Sequence, residues 1–283
     1  MAYITSASFT IHINGDDFGS FEGGRGLRQG DPLSPLLFVL VMEYLTRLFN
    51  QVGSTTGFKF HPHCKDNRMT HLIFADDLIV FSAAEANTIA SLKKAFDRFS
   101  ESTGLVANNE KSQIVMGGCH DQLKKQILEL TGYQEGKLPF RYLGVPVTAN
   151  RLSAVDCKVL VEKITKNIST WVTKTTSYTG RVALINSVLM GIYTFWATIF
   201  ILPKGVIKEV NTKCRNFLWG ADEVYKKIPY ISWEDTCKPK KYGGLDLLNI
   251  EAWNAVNIAK RVWAITRKED LLWVKWVHGK YLS

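Results

Sequence analysis

Apolar and polar residues alternate over residues 9–13, Phe9-Thr10-Ile11-His12-Ile13, and Asn14-Gly15 follows. That pair is the strongest short signal for a two-residue hairpin turn, so residues 18–21 are read as the return strand. Ser34 has the character of a helix N-cap with Pro35 at the first helical position. Residues 36–50 then form a helix whose first half is apolar enough to be buried. Two further apolar runs, Leu72-Ile73-Phe74 and Leu78-Ile79-Val80-Phe81, are rich in β-branched and aromatic residues. They predict a hairpin buried on both faces, with residues 75–78 as its tight turn. Ile89, Leu92, Ala95, Phe96 and Phe99 have helical spacing, and Gly104 is placed to end that helix. Residues 105–116 read as a turn leading into a strand, and residues 138–147 as another short strand or hairpin. Beyond residue 150 the pattern is mainly helical, with loops near 174–180, 220–229 and 238–244 and no internal repeat.

The predicted turn at 75–78 carries the candidate chemistry. Asp76 and Asp77 put two like charges at one hairpin tip, which is electrostatically costly. Divalent cations relieve that cost, since Mg²⁺ takes hard oxygen ligands and usually one or two protein carboxylates. A pair of such ions activates an attacking oxygen and stabilises a leaving one in phosphoryl or nucleotidyl transfer. Asp is also an ordinary turn residue, so the pair alone reads first as a solvated turn, and it is the neighbouring segments that favour the metal site. Asp16 and Asp17, beside the Asn14-Gly15 turn, are read as solvated turn residues. The run Gly24-Arg25-Gly26-Leu27-Arg28-Gln29-Gly30-Asp31-Pro32 is no dinucleotide fingerprint, because Gln29 stands at the third glycine position. Its glycines let backbone approach a ligand, and Arg25 and Arg28 add phosphate-binding capacity; the other reading is a plain surface loop.

Charge changes the picture for the second half. Residues 1–140 hold 13 basic and 15 acidic residues, and residues 141–283 hold 22 and 11, leaving −2 and +11 of the overall +9. All eight tryptophans lie from Trp171 onward. A near-neutral half bearing the Asp pair is followed by a basic, Trp-rich half, and a polyanion is the natural partner for the latter. Any single tryptophan is expected in a core more often than on a base-stacking surface. The five cysteines are odd in number, scattered and without a C-x-x-C pair, which suits a reducing compartment, cytoplasmic or nuclear. His61, His63 and Cys64 are close together with no second ligand cluster. No signal peptide is visible. Residues 182–202 carry no charge and approach the length of a membrane span. Asn186, Ser187, Gly191, Thr194 and Thr198 interrupt them, so a buried helix of a soluble core is expected instead.

Several segments, taken in order, resemble the reverse transcriptase region of non-LTR (LINE-type) retrotransposons, most like the plant kind. They are Gly26-Leu27-Arg28-Gln29-Gly30-Asp31-Pro32-Leu33-Ser34-Pro35, Phe74-Ala75-Asp76-Asp77, Gly104-Leu105 with Asn108, Lys111 and Ser112, and Tyr142-Leu143-Gly144-Val145-Pro146. These are similar to polymerase motifs B, C, D and E. The likeness continues through Gly180-Arg181, Phe217-Leu218-Trp219 and Tyr242-Gly243-Gly244-Leu245. Each motif is weak alone; the ordered set is specific.

The resemblance implies an α+β right-hand polymerase. Residues 1–150 would form an incomplete palm, an antiparallel sheet with helices, and residues 151–283 a mainly α-helical basic thumb with a C-terminal extension. Asp76 and Asp77 would bind the catalytic Mg²⁺ (or Mn²⁺) ions. Arg25, Arg28, Gln29 and Gly30 would serve the nucleotide and template site. Lys111 would lie near the incoming dNTP, as a proton donor to pyrophosphate, and Tyr142, Leu143 and Gly144 would form a primer grip. An RNA template and a DNA primer are the implied partners, with no membrane. The family's motif A supplies a third metal-binding Asp upstream of motif B. Here the residues before Gly26 read as the hairpin that follows motif A. The chain is therefore expected to be a fragment whose third carboxylate and fingers belong to a missing upstream polypeptide.

Overall fold

The computed structural model describes residues 8–24, 26–28, 30–172, 176–220 and 231–282. The chain divides into two compact units, Met1–Gly136 and Lys137–Ser283. Residues 137–150 thus group with the helical second unit.

The first unit opens with the hairpin β1 (Ser8–Ile13) and β2 (Asp16–Glu22), paired antiparallel with a register shift between Thr10 and Ile11. Asn14 (φ 52°) and Gly15 (φ 97°) occupy the left-handed region that such a turn requires. Asp16 and Asp17 are exposed and adjoin the turn as expected; they are the first two residues of β2, and Asp17 hydrogen-bonds the His12 ring at 2.7 Å. Helix α1 (Ser34–Gly53) has Pro in its first turn. Ser34 is not its cap: the N-cap residue is Leu33, and Ser34 Oγ donates instead to the Arg28 carbonyl at 2.7 Å. Asp31 Oδ1 accepts from the Leu33 amide at 2.8 Å, so the loop is tied to the helix by side chains on both sides of the cap position.

The expectation that the apolar first half of α1 is buried is corrected. Leu36, Val39 and Leu40 are 62, 64 and 67% exposed, and the buried residues Leu45, Leu48, Phe49 and Gly53 lie in the second half. That half packs against α2 (Ala86–Thr103), joined by Phe58, Leu92, Ala95 and Phe99 in one core. Burial of such a side chain stabilises by about 1.5–3 kcal/mol. Gly104 (φ 73°) caps α2 as predicted. The strands β3 (His71–Phe74) and β4 (Asp77–Val80) pair antiparallel. Next, β5 (Gln113–Val115) and β6 (Gln134–Gly136) pair in parallel across α3 (Asp121–Thr131), a β-α-β unit.

In the second unit, β7 (Phe140–Tyr142) and β8 (Val145–Val147) form a hairpin through Leu143-Gly144. Helix α4 (Lys158–Val172) follows, then a continuous helical run of α5 (Tyr178–Leu184), a π-helical turn (Ile185–Leu189) and α6 (Met190–Ile199). The last elements are α7 (Lys204–Gly220), the short α8 (Trp233–Thr236), α9 (Ile250–Thr266) and α10 (Leu272–Tyr281). Ile164, Ile168, Ile185, Leu189, Tyr193, Val210, Phe217 and Leu218 centre one large core. Ser34–Gly53 and Tyr178–Ile199 are each long and apolar enough to cross a membrane. The second supplies Ile185, Leu189, Met190, Tyr193, Trp196 and Ala197 to that core. The predicted loop over 220–229 lies mostly outside the described residues.

The protein is therefore a mixed α+β chain, but the expected antiparallel sheet differs. Among the described residues there are four separate two-stranded pieces, three antiparallel and one parallel. No third strand pairs beside β3 or β4 there, so the central hairpin is not part of a broad sheet.

Candidate active site

The β3–β4 register pairs Phe74 with Asp77, so the turn is only Ala75-Asp76 and Asp77 is the first residue of β4. Ala75 sits at φ 50°, an uncommon conformation for a residue with a Cβ and a local strain at the tip. Directly opposed residues share a face of the pair. Ile73 with Leu78 and His71 with Val80 lie on one face; Leu78 packs on the α1–α2 core and the His71 ring packs tilted by 60° against Phe49, centroids 5.2 Å apart. His71 also bonds Thr46 Oγ1 through Nε2 (3.1 Å) and Thr70 Oγ1 through Nδ1 (2.8 Å). Burial holds its pKa below the usual imidazole value, favouring the neutral ring.

The other face carries Leu72, Phe74, Asp77 and Ile79 and is open: Phe74 is 59% exposed. A hairpin buried on both faces is thus corrected to one anchored through a single face, because α1 covers only the His71–Leu78 side. Asp76 and Asp77 are exposed, and among the described residues neither forms an ion pair. Among the same residues no three His, Cys, Asp or Glu side chains converge closely enough to hold a metal ion. The donor set at the tip is therefore two hard-oxygen groups, suited in kind to Mg²⁺ or Mn²⁺ and short in number.

The other site residues occupy separate loops. Arg28 and Gly30 (φ 87°) lie in the loop before α1, exposed; Arg25 and Gln29 fall outside the described residues. Lys111 is exposed on a turn organised by Asn108, whose Oδ1 accepts from the Glu110 and Lys111 amides at 3.0 and 3.2 Å and whose carbonyl accepts from Lys111 and Ser112. That accounts for the Asn-x-x-Lys-Ser spacing as turn chemistry. Tyr142, Leu143 and Gly144 belong to the second unit, where Leu143 (φ 51°) and Gly144 (φ 81°) make the tight turn of β7–β8. Leu143 and Gly144 line a groove of about 460 Å³ with Lys163 of α4, Ser187 of the π-helical turn, and Gly191 and Trp196 of α6.

The later motif residues have structural roles. Arg181 donates from Nη1 to the Leu218 carbonyl at 3.1 Å, joining the Gly180-Arg181 and Phe217-Leu218-Trp219 segments. Gly243 is left-handed (φ 82°), and a Cβ on Gly244 would run into the Lys238 carbonyl. All five cysteines are free. Burial pushes the Cys157, Cys214 and Cys237 thiols up to about 11, about 12 and about 11, so they are poor nucleophiles and ligands. Sequence reasoning missed Asn254, a buried polar residue of α9. It caps nothing in its own helix, and no local pattern marks it.

Comparison with known proteins finds likenesses over parts of the chain. The family described as reverse transcriptase (RNA-dependent DNA polymerase) matches residues 2–147. A putative ribonuclease H protein of Arabidopsis thaliana is 28% identical over 137 residues, 48% of this chain and 22% of that protein. A retrovirus-related Pol polyprotein from the type-2 retrotransposable element R2DM of Drosophila melanogaster is 34% identical over 150 residues, 48% of this chain and 13% of the polyprotein. An uncharacterized mitochondrial protein of Arabidopsis thaliana is 44% identical over 68 residues, 23% of this chain and 54% of that protein. The chain belongs to the reverse transcriptase family, and its polymerase region is of the non-LTR retrotransposon kind. It covers only 22% and 13% of the lengths of the first two relatives.

Proposed function

We infer that this chain is part of an RNA-directed DNA polymerase, with residues 1–150 contributing to the palm and residues 151–283 forming a basic helical thumb with an extension. The observation that carries the reading is the Asp76-Asp77 tip, exposed, free of ion pairs among the described residues, and anchored through His71 to Thr46. Asp76 and Asp77 would hold Mg²⁺ or Mn²⁺. When bound, such ions supply charge stabilisation for nucleotidyl transfer and activate the primer hydroxyl. The loop of Arg25, Arg28, Gln29 and Gly30 would take the template and the incoming dNTP. Lys111 would face the triphosphate, where its ammonium can give a proton to the departing pyrophosphate. Tyr142, Leu143 and Gly144 would seat the DNA primer, and the positive second half would follow the phosphates of the RNA–DNA duplex, with affinity falling steeply as salt rises. A nuclear or cytoplasmic setting without a membrane goes with this reading, and the five free thiols support it.

Two carboxylates leave hard cations short of ligands. An ion displaced by on the order of 1 Å can cost about 10²-fold in rate. The 283-residue chain alone is therefore expected to give no primer extension above background. A further polypeptide that brings a third carboxylate and a closing element, fused or in trans, should restore extension, and Asp76→Ala should remove it again. Asp76-dependent extension by the chain alone would overturn the incompleteness; extension indifferent to Asp76→Ala would overturn the site. A second reading, a non-catalytic nucleic-acid-binding remnant, is favoured by the same count of carboxylates and the +11 charge of residues 141–283. Tight duplex binding without extension, even with the added polypeptide, would select it.

A further inference from the structure

The helices α9 and α10 carry Trp253, Trp263, Trp273 and Trp276, and none of the four belongs to the buried core of the second unit. The inner side of α9 is fixed by Ile250, Asn254 and Ala264, all buried. Asn254 Nδ2 donates to the Ala197 and Phe200 carbonyls at 2.9 and 2.7 Å, and its Oδ1 accepts from the Leu202 amide at 3.1 Å. Helix α10 is seated against α9 by the buried Val274 and by His278, whose Nε2 lies 2.8 Å from the Ile265 carbonyl.

That anchoring leaves a second side of α9 facing solvent. Trp253, Val256, Lys260, Trp263 and Arg267 follow one another at steps of three and four, so they form one stripe. All five are exposed, Trp253 at 38% and Trp263 at 61%. The two indoles are ten residues apart, about 15 Å along the helix. The Arg267 guanidinium lies 5.9 Å from the Trp263 ring centroid, and on the neighbouring helix Lys280 lies 5.1 and 5.0 Å from Trp276 and Tyr281. The stripe contains no acidic residue.

We propose that the Trp253–Lys260–Trp263–Arg267 stripe of α9 is a binding track for single-stranded nucleic acid, in which unpaired bases stack on the indoles and phosphates meet the two cations. It rests on the reading of the chain as a nucleic-acid-binding polymerase part and adds a site to it. Aromatic faces interleaved with cations along a groove or ridge are what sequence-tolerant single-strand binding uses. Charge complementarity decides against the other occupants. A second copy of this helix, packed about the middle of the stripe, would set Lys260 against a like charge. A helix lying in a lipid surface separates its aromatic and basic residues onto different faces. Here they share one.

The test uses the full chain and fluorescence anisotropy with a labelled 15-nucleotide single-stranded RNA, the DNA strand of the same sequence, and an RNA–DNA duplex of the same length. Trp263→Ala is expected to weaken single-strand binding about tenfold, as loss of one stacked base does. Trp263→Phe should retain most of the affinity. Lys260→Gln should lower the dependence of log K on log salt by about one. Duplex binding should change less than about twofold in the two Trp263 variants, and the exposure of both positions should leave the fold intact in all three variants by circular dichroism. Tighter binding of the RNA or of the DNA strand supports the site either way and identifies which it prefers. Unchanged single-strand affinity in Trp263→Ala overturns the proposal. So does Trp263-dependent binding to phosphatidylserine vesicles without single-strand binding, or a dimer that Trp263→Ala dissociates. Duplex binding with no single-strand binding defeats this inference alone. Binding of neither defeats the nucleic-acid reading as a whole.

Discussion

Asn254 Oδ1 accepts the Leu202 amide across 52 residues of sequence, and the same side chain caps the end of α6 through the Ala197 and Phe200 carbonyls. Three backbone groups at and just beyond the C-terminal end of α6 thus depend on one amide. Asn254→Ala would strand them, and a buried group left without its partner costs about 1–3 kcal/mol. A loss of about 3 kcal/mol is expected, read as a lower urea midpoint of the full chain. Asn257→Ala, whose amide only reaches the Trp253 carbonyl within its own helix, should move the midpoint far less.

Acid should weaken the first unit through His71. Its native pKa lies below the ordinary 6.5 because burial disfavours the charged ring. The unfolded chain therefore binds the proton more readily. The stabilisation is fully present above about pH 6.5 and is lost as pH falls through the lower native value. Denaturation at pH 7.5 and at pH 5.5 should show a drop for the native protein and a smaller drop for His71→Gln. Equal drops would mean that another group controls the transition.

The Asp76-Asp77 tip is expected to bind Mn²⁺ weakly, visible as loss of the free-ion electron paramagnetic resonance signal. Asp76→Asn and Asp77→Asn should each return the signal to that of free ion, since neither remaining carboxylate alone holds the cation well. Replacement of Asp16 or Asp17 by Asn should leave it unchanged. Mn²⁺ binding that survives both tip substitutions would place the cation elsewhere.

Ala75 sits at φ 50°, where glycine has no steric penalty. Ala75→Gly should therefore stabilise the first unit by about 0.5 kcal/mol, the relief of the turn exceeding the extra freedom of the unfolded chain. Ala75→Val should do the opposite and by more, because a branched Cβ is least tolerated there. Thermal unfolding of the three proteins should rank Gly above Ala above Val.

Features set by neighbouring residues were legible in the sequence. Asn14-Gly15 specifies its own turn, Gly104 its own cap, and Asn108 its own loop. The carboxylate pair and the hairpin around it were legible too, although the turn is shorter by two residues because Phe74 pairs directly with Asp77. Ser34 misled because its hydroxyl had two uses, and the Arg28 carbonyl took it. The first half of α1 misled for a different reason: hydrophobicity says what a surface prefers, not what covers it. Trp196 is in the core, and Trp171, Trp219 and Trp233 pack against it, whereas Trp253 and Trp263 stand in solvent. Nothing in their local spacing separates the two groups. Asn254 was silent for the same reason, since its partners lie 52 to 57 residues away.

Family likeness and physical packing break the chain at different points. The family match runs to residue 147, but the second compact unit begins at Lys137, and Val145 of β8 is already a member of its core. Recombination between related elements that swapped everything up to the end of the likeness would tear the β7–β8 hairpin from the helices it packs on and leave a hole where Val145 had been. An exchange ending at Gly136 would carry each core away whole, so viable chimaeras should cluster at that earlier junction.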